Sequence, residues 1–157
     1  MATKKKTKVA KKATVKKTAR KPAVKTAKRS SKSSSTKPSS TAKPLGPYTP
    51  VVRAGDWIIV SGQLGIADGK VVAGGVAAQT SKAIENLKGQ LASVGASLSD
   101  VSKTLCFLTD MDTFASFNTS YVAGFGNSRP ARSTIGVASL PFGGAVEIEA
   151  WAYKPLR

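Results

Sequence analysis

The sequence predicts an α+β fold, a sheet carrying two helices on one face, and three observations lead there. Ala83, Ile84, Leu87, Leu91 and Val94 recur at helical spacing. Val146, Ile148 and Ala150 alternate with Glu147 and Glu149, the period of a strand. The segments in the folded part read in the order strand, strand, helix, strand, helix, strand, strand. The face of such a sheet away from the helices must be solvated or covered by another subunit.

The elements follow in turn. Gly46-Pro47-Tyr48-Thr49-Pro50 reads as a turn entering the domain. Val51-Val52-Arg53 and Trp57-Ile58-Ile59-Val60-Ser61 read as strands joined by the tight turn Ala54-Gly55-Asp56, with Gly62 ending the second apolar run. Ala67-Asp68-Gly69-Lys70 makes another turn, after which Val71-Val72 pair briefly. The helix runs from Ala77 to Val94, and Gly95 sits where a C-cap is wanted. In the next strand Val101, Lys103, Leu105 and Phe107 share one face, with Thr104, Cys106 and Leu108 on the other. Asp112 is placed to cap a second helix whose Phe114, Phe117, Tyr121, Val122 and Phe125 form a stripe. An aromatic stripe of this kind is far more often core than cofactor site. Strands at 132–138 and 145–153 flank Leu140-Pro141-Phe142-Gly143-Gly144.

The net charge of +17 belongs to one segment. Residues 1–44 hold 16 of the 25 Lys and Arg and none of the 8 Asp and Glu, which leaves residues 45–157 with nine basic against eight acidic side chains. The leader is Lys, Ala, Thr, Ser and Pro with no Leu, Ile or aromatic, so it cannot bury enough surface to offset its ordering entropy and is expected to be disordered. The remaining 113 or so residues suit one domain with one core. One cysteine excludes an internal disulfide, and no histidine occurs, so His-based triads, imidazole bases and His or thiolate metal sites are excluded. No apolar run is long enough to span a bilayer, and the leader lacks the apolar stretch of a secretory signal.

No phosphate loop is present, since no Gly-rich run ends in Lys-Ser/Thr and no GxGxxG opens a helix. Gly74-Gly75 reads first as a loop, and Asp110 and Asp112 as capping residues rather than metal ligands. Cys106, in an apolar strand, reads as an inert buried thiol. Ser61 has no base to activate it as a nucleophile, so hydrogen bonding or packing is its expected role. What survives is Arg132, which opens one strand-like segment, and Glu147, which lies on a neighbouring one, supported by Tyr48 and Ser61. An arginine holds a planar carboxylate through two hydrogen bonds, and a carboxylate nearby orients water or moves a proton. The bland alternative is that Arg132, Glu147 and Glu149 are solvated charges on the open face of an antiparallel sheet.

Gly46-Pro47-Tyr48, Val60-Ser61-Gly62-Gln63, Ala83-Ile84-Glu85-Asn86-Leu87, Leu108-Thr109-Asp110-Met111, Phe117-Asn118, Pro130-Ala131-Arg132-Ser133-Thr134, Leu140-Pro141 and Val146-Glu147-Ile148-Glu149-Ala150 resemble, in order and approximate spacing, the RidA (YjgF) family of reactive-intermediate deaminases. The resemblance covers roughly 45–154. It implies a chorismate-mutase-like mixed sheet, a homotrimer with a sheet-lined barrel, and sites in clefts between subunits. It implies hydrolysis of enamines and imines such as 2-aminoacrylate to 2-keto acids and ammonia, without a cofactor or metal. By resemblance Arg132 holds the substrate carboxylate and Glu147 positions or activates water. Tyr48, Ser61, Gly62, Asn118 and Thr134 complete the substrate site, and Glu149 has a structural or rim role. Thr134 stands where some members carry cysteine, the Leu64–Val72 loop looks shorter than usual and lacks the common proline, and the basic leader has no counterpart in the family pattern.

Two further readings stand beside the enzyme. A small-molecule-binding protein without turnover would use the same Arg132 anchor. The leader, with runs such as Lys11-Lys12-Ala13-Thr14-Val15-Lys16-Lys17, resembles linker-histone tails and is expected to bind nucleic acid or another polyanion non-specifically, there being no aromatic to stack on bases. A cytoplasmic protein associated with nucleoid or chromatin follows from that reading. A merely solvated spacer is the next reading of the leader, and an organelle transit peptide the third, since the leader is free of acidic residues and rich in Ser, though dominated by Lys and without a clear amphipathic apolar face.

Overall fold

The computed structural model describes residues 46–156, so the expectations for the leader lie outside the described residues. In chain order the elements are β1 (Val51–Ala54), β2 (Trp57–Leu64), β3 (Ile66–Ala67), β4 (Lys70–Val71), α1 (Gly75–Ser93), β5 (Val101–Leu108), α2 (Phe114–Phe125), β6 (Ala131–Gly136) and β7 (Val146–Tyr153). Five strands form one sheet in the order β1-β2-β7-β5-β6, and β3 and β4 make a separate small hairpin. All neighbours in the large sheet are antiparallel except β5 and β6, which are parallel. The fold is therefore α+β with a mixed sheet, and β5 stands between the two strands that carry Arg132 and Glu147.

The core lies between the sheet and the helices. Ile58 and Val60 of β2, Cys106 and Leu108 of β5, and Val146, Ile148, Ala150 and Ala152 of β7 meet Ala83, Ile84, Leu87 and Leu91 of α1 and Phe117, Tyr121 and Phe125 of α2. Removing each of the larger side chains from water stabilises the fold by about 1.5–3 kcal/mol, which is why the two periodicities dictate the layers. Val122, expected in the stripe, is 47% exposed, because a position one residue beyond Tyr121 turns away from the sheet. Gly95 takes φ 74°, and the Ala96 N–H reaches the Leu91 carbonyl at 2.8 Å, closing α1 as predicted. The second helix is entered differently from expectation. Asp110, not Asp112, accepts the 2.9 Å bond, from the Asp112 N–H, and caps a short 3-10 turn over Met111–Thr113 before α2 begins.

Two bulges change which side chains share a face. The pairing of β5 with β7 shifts between Val101 and Lys103, so Val101 joins the buried set instead of the face of Lys103, Leu105 and Phe107. The pairing of β2 with β7 shifts between Val60 and Gln63, so β2 continues through Gly62 to Leu64 rather than stopping there. Asn86 of α1 fixes the far end of that strand by donating to the Leu64 and Ile66 carbonyls at 2.9 and 3.0 Å. Gln79 secures the entry to β7 by accepting from the Ala145 N–H at 2.7 Å.

The face of the sheet away from the helices is largely apolar, with Lys103, Ser133, Glu147 and Glu149 as its polar members. Val52, Trp57, Ile59, Ile135 and Tyr153 are exposed on it, with Leu105, Phe107 and Trp151 half-buried among them. A solvated antiparallel face alternates to polar residues instead. Among the described residues, no helix is long and apolar enough to cross a membrane.

Candidate functional site

Glu147 stands on this open face, in the middle strand of the sheet, with Leu64 of β2 and Phe107 of β5 as its lateral neighbours. Its carboxylate lies directly on Gly62: a Cβ there would run into Oε1 and come within 2.6 Å of Cδ. Gly62 in the bulge thus leaves room for the Glu147 carboxylate to lie against the strand, and a side chain there would displace it. Ser61 donates from Oγ to the Thr49 carbonyl at 2.8 Å, and its N–H reaches the Pro50 carbonyl at 3.0 Å. Those bonds fasten the segment that carries Tyr48, whose side chain is 46% exposed. Ser61 thus ties the backbone next to Tyr48 to the bulge on which Glu147 rests.

Burial raises the Glu147 pKa above its ordinary value of 4.5, and the neighbouring Glu149 charge raises it further. Burial raises Glu149 as well. Neither carboxylate has an ion-pair partner among the described residues, where the salt bridges are Lys82 with Glu85 and Lys154 with Asp100. Such a carboxylate is suited to hold a proton transiently or to orient water.

Arg132 is elsewhere. On β6 it pairs with Thr104 of β5, which is fully buried and faces α2. Its guanidinium carbon lies 4.7 Å from the ring centre of Tyr121, 5.3 Å from Phe117 and 5.8 Å from Phe114. Thr134, two residues on, faces the same way beside Cys106, and its Oγ1 is buried without a hydrogen-bond partner among the described residues. Asn118 follows Phe117 on α2 and is half-buried. Cys106 is fully buried, and burial pushes its thiol pKa up to about 11, opposed by the Thr104 hydrogen bond and the nearby Arg132 charge, so it is the inert thiol expected from sequence.

The predicted residues therefore divide into two groups separated by the sheet. Gly62 lies beneath Glu147 at the open face, with Ser61 beside it and Tyr48 on the segment that Ser61 fastens, whereas Arg132 and Thr134 of the edge strand lie toward α2, which carries Asn118. Arg132 and Glu147 lie on consecutive strands, as expected, but β5 inserts between them in the sheet and the parallel β5–β6 register turns Arg132 to the opposite face. Sequence reading also passed over the surroundings of Arg132, treating Phe114, Phe117 and Tyr121 only as core. The signal was their helical spacing, which stacks three rings on one face of α2.

Residues 39–154 match the family model described as Endoribonuclease L-PSP. The 2-iminobutanoate/2-iminopropanoate deaminase of Bos taurus is 42% identical over 120 residues, covering 73% of this chain and 88% of that protein. The mitochondrial protein mmf1 of Schizosaccharomyces pombe is 38% identical over 112 residues, covering 69% of each. Among solved structures, RidA from an Antarctic Psychrobacter superposes with a TM-score of 0.68 at 38% identity, covering 71% of this chain and 91% of that one.

Proposed function

The chain belongs to the RidA/YjgF family, and from that premise we propose that it hydrolyses reactive enamines and imines of 2-amino acids, such as 2-aminoacrylate, to 2-keto acids and ammonia. The observation that supports this most is that Arg132 and Glu147 are each without an ionic partner among the described residues. Arg132 binds the substrate carboxylate through its fork of N–H donors. The enamine takes a proton at its terminal carbon and becomes the imine. Glu147, with its raised pKa, holds water against the imine carbon and accepts a proton as the carbon–oxygen bond forms. Glu147 passes that proton to nitrogen to give the carbinolamine, the new hydroxyl gives up the second proton to nitrogen as its carbonyl forms, the carbon–nitrogen bond breaks, ammonia leaves and the 2-keto acid remains. An imine is already electrophilic, so anchoring and water placement carry the reaction without a strong base or a cofactor. Tyr48, Ser61, Gly62, Asn118 and Thr134 line the substrate site, and Glu149 stands at its rim.

One chain holds the anchor and the acid on opposite faces of its sheet, so the working site needs more than one copy. We propose a homotrimer in which the open apolar faces are covered and the edge of β6 from one subunit meets the Glu147 group of the next. Arg132→Ala in an assay coupled to 2-keto acid release should cost about 2–4 kcal/mol, or roughly 30- to 1000-fold in kcat/KM. Unchanged turnover would sink the assignment, and ligand binding without turnover by the wild type would favour a sensor on the same fold. The ribonuclease activity in the family model's name is less well supported, because residues 45–157 are nearly neutral and suit a small anion better than a polyanion.

For residues 1–44 we propose nucleic-acid or other polyanion binding, motivated by 16 basic and no acidic residues. Comparing the full chain with residues 45–157 on duplex DNA at two salt concentrations tests it, and equal binding removes the leader from the account. Organelle import is the competing role, motivated by the mitochondrial mmf1 of Schizosaccharomyces pombe. An N-terminus of the mature protein between Ser30 and Lys43 would favour import over cytoplasmic, nucleoid or chromatin residence.

A further inference from the structure

Arg132 carries a long, flexible stem on the edge strand β6, yet no hydrogen bond or ion pair restrains its guanidinium among the described residues. Three rings of α2 do so instead, and Tyr121 is the nearest, at 4.7 Å. A cation over a ring face is held without consuming its N–H donors, so the fork stays available to a carboxylate. A salt bridge would have neutralised the charge that the ligand must meet.

Tyr121 is itself fixed from both sides. Its ring stacks on Phe125 at 4.4 Å and 23° and tilts against Phe117 at 5.5 Å. Its hydroxyl shares a 2.7 Å hydrogen bond with Thr104 Oγ1, and Thr104 is fully buried. Thr104 is also the residue that pairs with Arg132 across the β5–β6 ladder. The same strand pair therefore sets where the guanidinium starts and where the ring that receives it stands.

We propose that Tyr121, through its ring face, is a positioning residue that holds Arg132 as a carboxylate anchor. The inference rests on the imine-hydrolase reading for its ligand, but binding of the 2-keto acid product tests it without turnover. Tyr121→Leu removes the ring face, and Tyr121→Phe keeps it. With a carboxylate-bearing imine, Tyr121→Leu should raise KM about tenfold while kcat moves less than about threefold, and Tyr121→Phe should recover most of the loss. Product affinity, measured by calorimetry, should weaken in parallel. With an imine lacking the carboxylate, Tyr121→Leu and wild type should have the same KM, a dependence that loss of packing alone does not produce.

A folded Tyr121→Leu variant with unchanged KM and product affinity overturns the proposal, as does an equal effect on both substrates. If Tyr121→Leu does not fold, Phe114→Leu, which removes the outermost ring, decides: it must weaken the carboxylate ligand selectively or the proposal fails. Arg132→Ala in the same series separates the two readings. A wild type that binds the 2-keto acid through Arg132 without turning over imine sinks the enzyme and leaves the positioning role to be judged on affinity. Binding that does not depend on Arg132 sinks both.

Discussion

On the helix side of the sheet, Ile58, Val60, Val146 and Ile148 are sealed within the chain by α1 and α2, whereas Trp57, Ile59, Ile135 and Tyr153 stand exposed on the other face, the one that carries Glu147. The first face is finished by one polypeptide. The second is largely apolar around Glu147 and Glu149 and is left uncovered by the described residues. The difference teaches how the two faces divide: the closed face holds the chain together and presents Arg132 at its edge, and the open face, which carries Glu147, is the surface that the proposed assembly would cover.

That comparison breaks first under substitutions of matched size on the two faces. Ile84→Ala, in the closed core, should cost about 2–5 kcal/mol of folding free energy in urea unfolding with little change in assembly. Ile59→Asp, on the open face, should leave a folded monomer that sediments as such and turns over no substrate. A trimeric, active Ile59→Asp protein would show that the open face is not the assembly surface.

A smaller effect is expected at the bulge. Gly62→Ala places a Cβ within the space of the Glu147 carboxylate, so the carboxylate must move away from the strand. The expected result is a fall in kcat of about tenfold, with product affinity at the Arg132 end nearly intact. Equal loss at both ends would mean that the two groups are coupled more tightly than the two faces suggest.

The smallest effect concerns Glu149. Its charge helps to raise the Glu147 pKa, so Glu149→Gln should lower that pKa and move the acid limb of kcat toward lower pH. The same shift acts on stability. A carboxylate whose folded pKa is raised favours the fold when protonated, a contribution present below its ordinary 4.5 and lost as pH rises through the raised value. Glu149→Gln should therefore melt no lower than wild type at neutral pH, and the difference should shrink in acid. An acid limb that stays in place would detach Glu149 from the site.

Much of the fold was legible because it rests on local periods. The spacing of Ala83 to Leu91 and the alternation of Val146 to Ala150 each fix an element and its buried face. Non-local pairing was not legible. Nothing within β6 or β7 states that β5 will lie between them, and the parallel register that turns Arg132 toward α2 is a property of two distant strands. The bulges at Ser61-Gly62 and Val101–Lys103 each shift the alternation by a residue, which is why Gly62 read as a strand end and Val101 as a partner of Lys103. At the site, residue chemistry survived translation better than geometry. Elimination of histidine and thiolate chemistry left Arg132 and Glu147 in view, but their placement on opposite faces needed the sheet.

The most direct test of a site assembled from two copies is complementation. Arg132→Ala and Glu147→Gln proteins, each inactive alone, are mixed in equal amounts, unfolded and reassembled together. If every site takes Arg132 from one subunit and Glu147 from the next, random trimers should recover about a quarter of wild-type activity. Reassembled mixtures that form trimers yet remain as inactive as either parent would contradict the account.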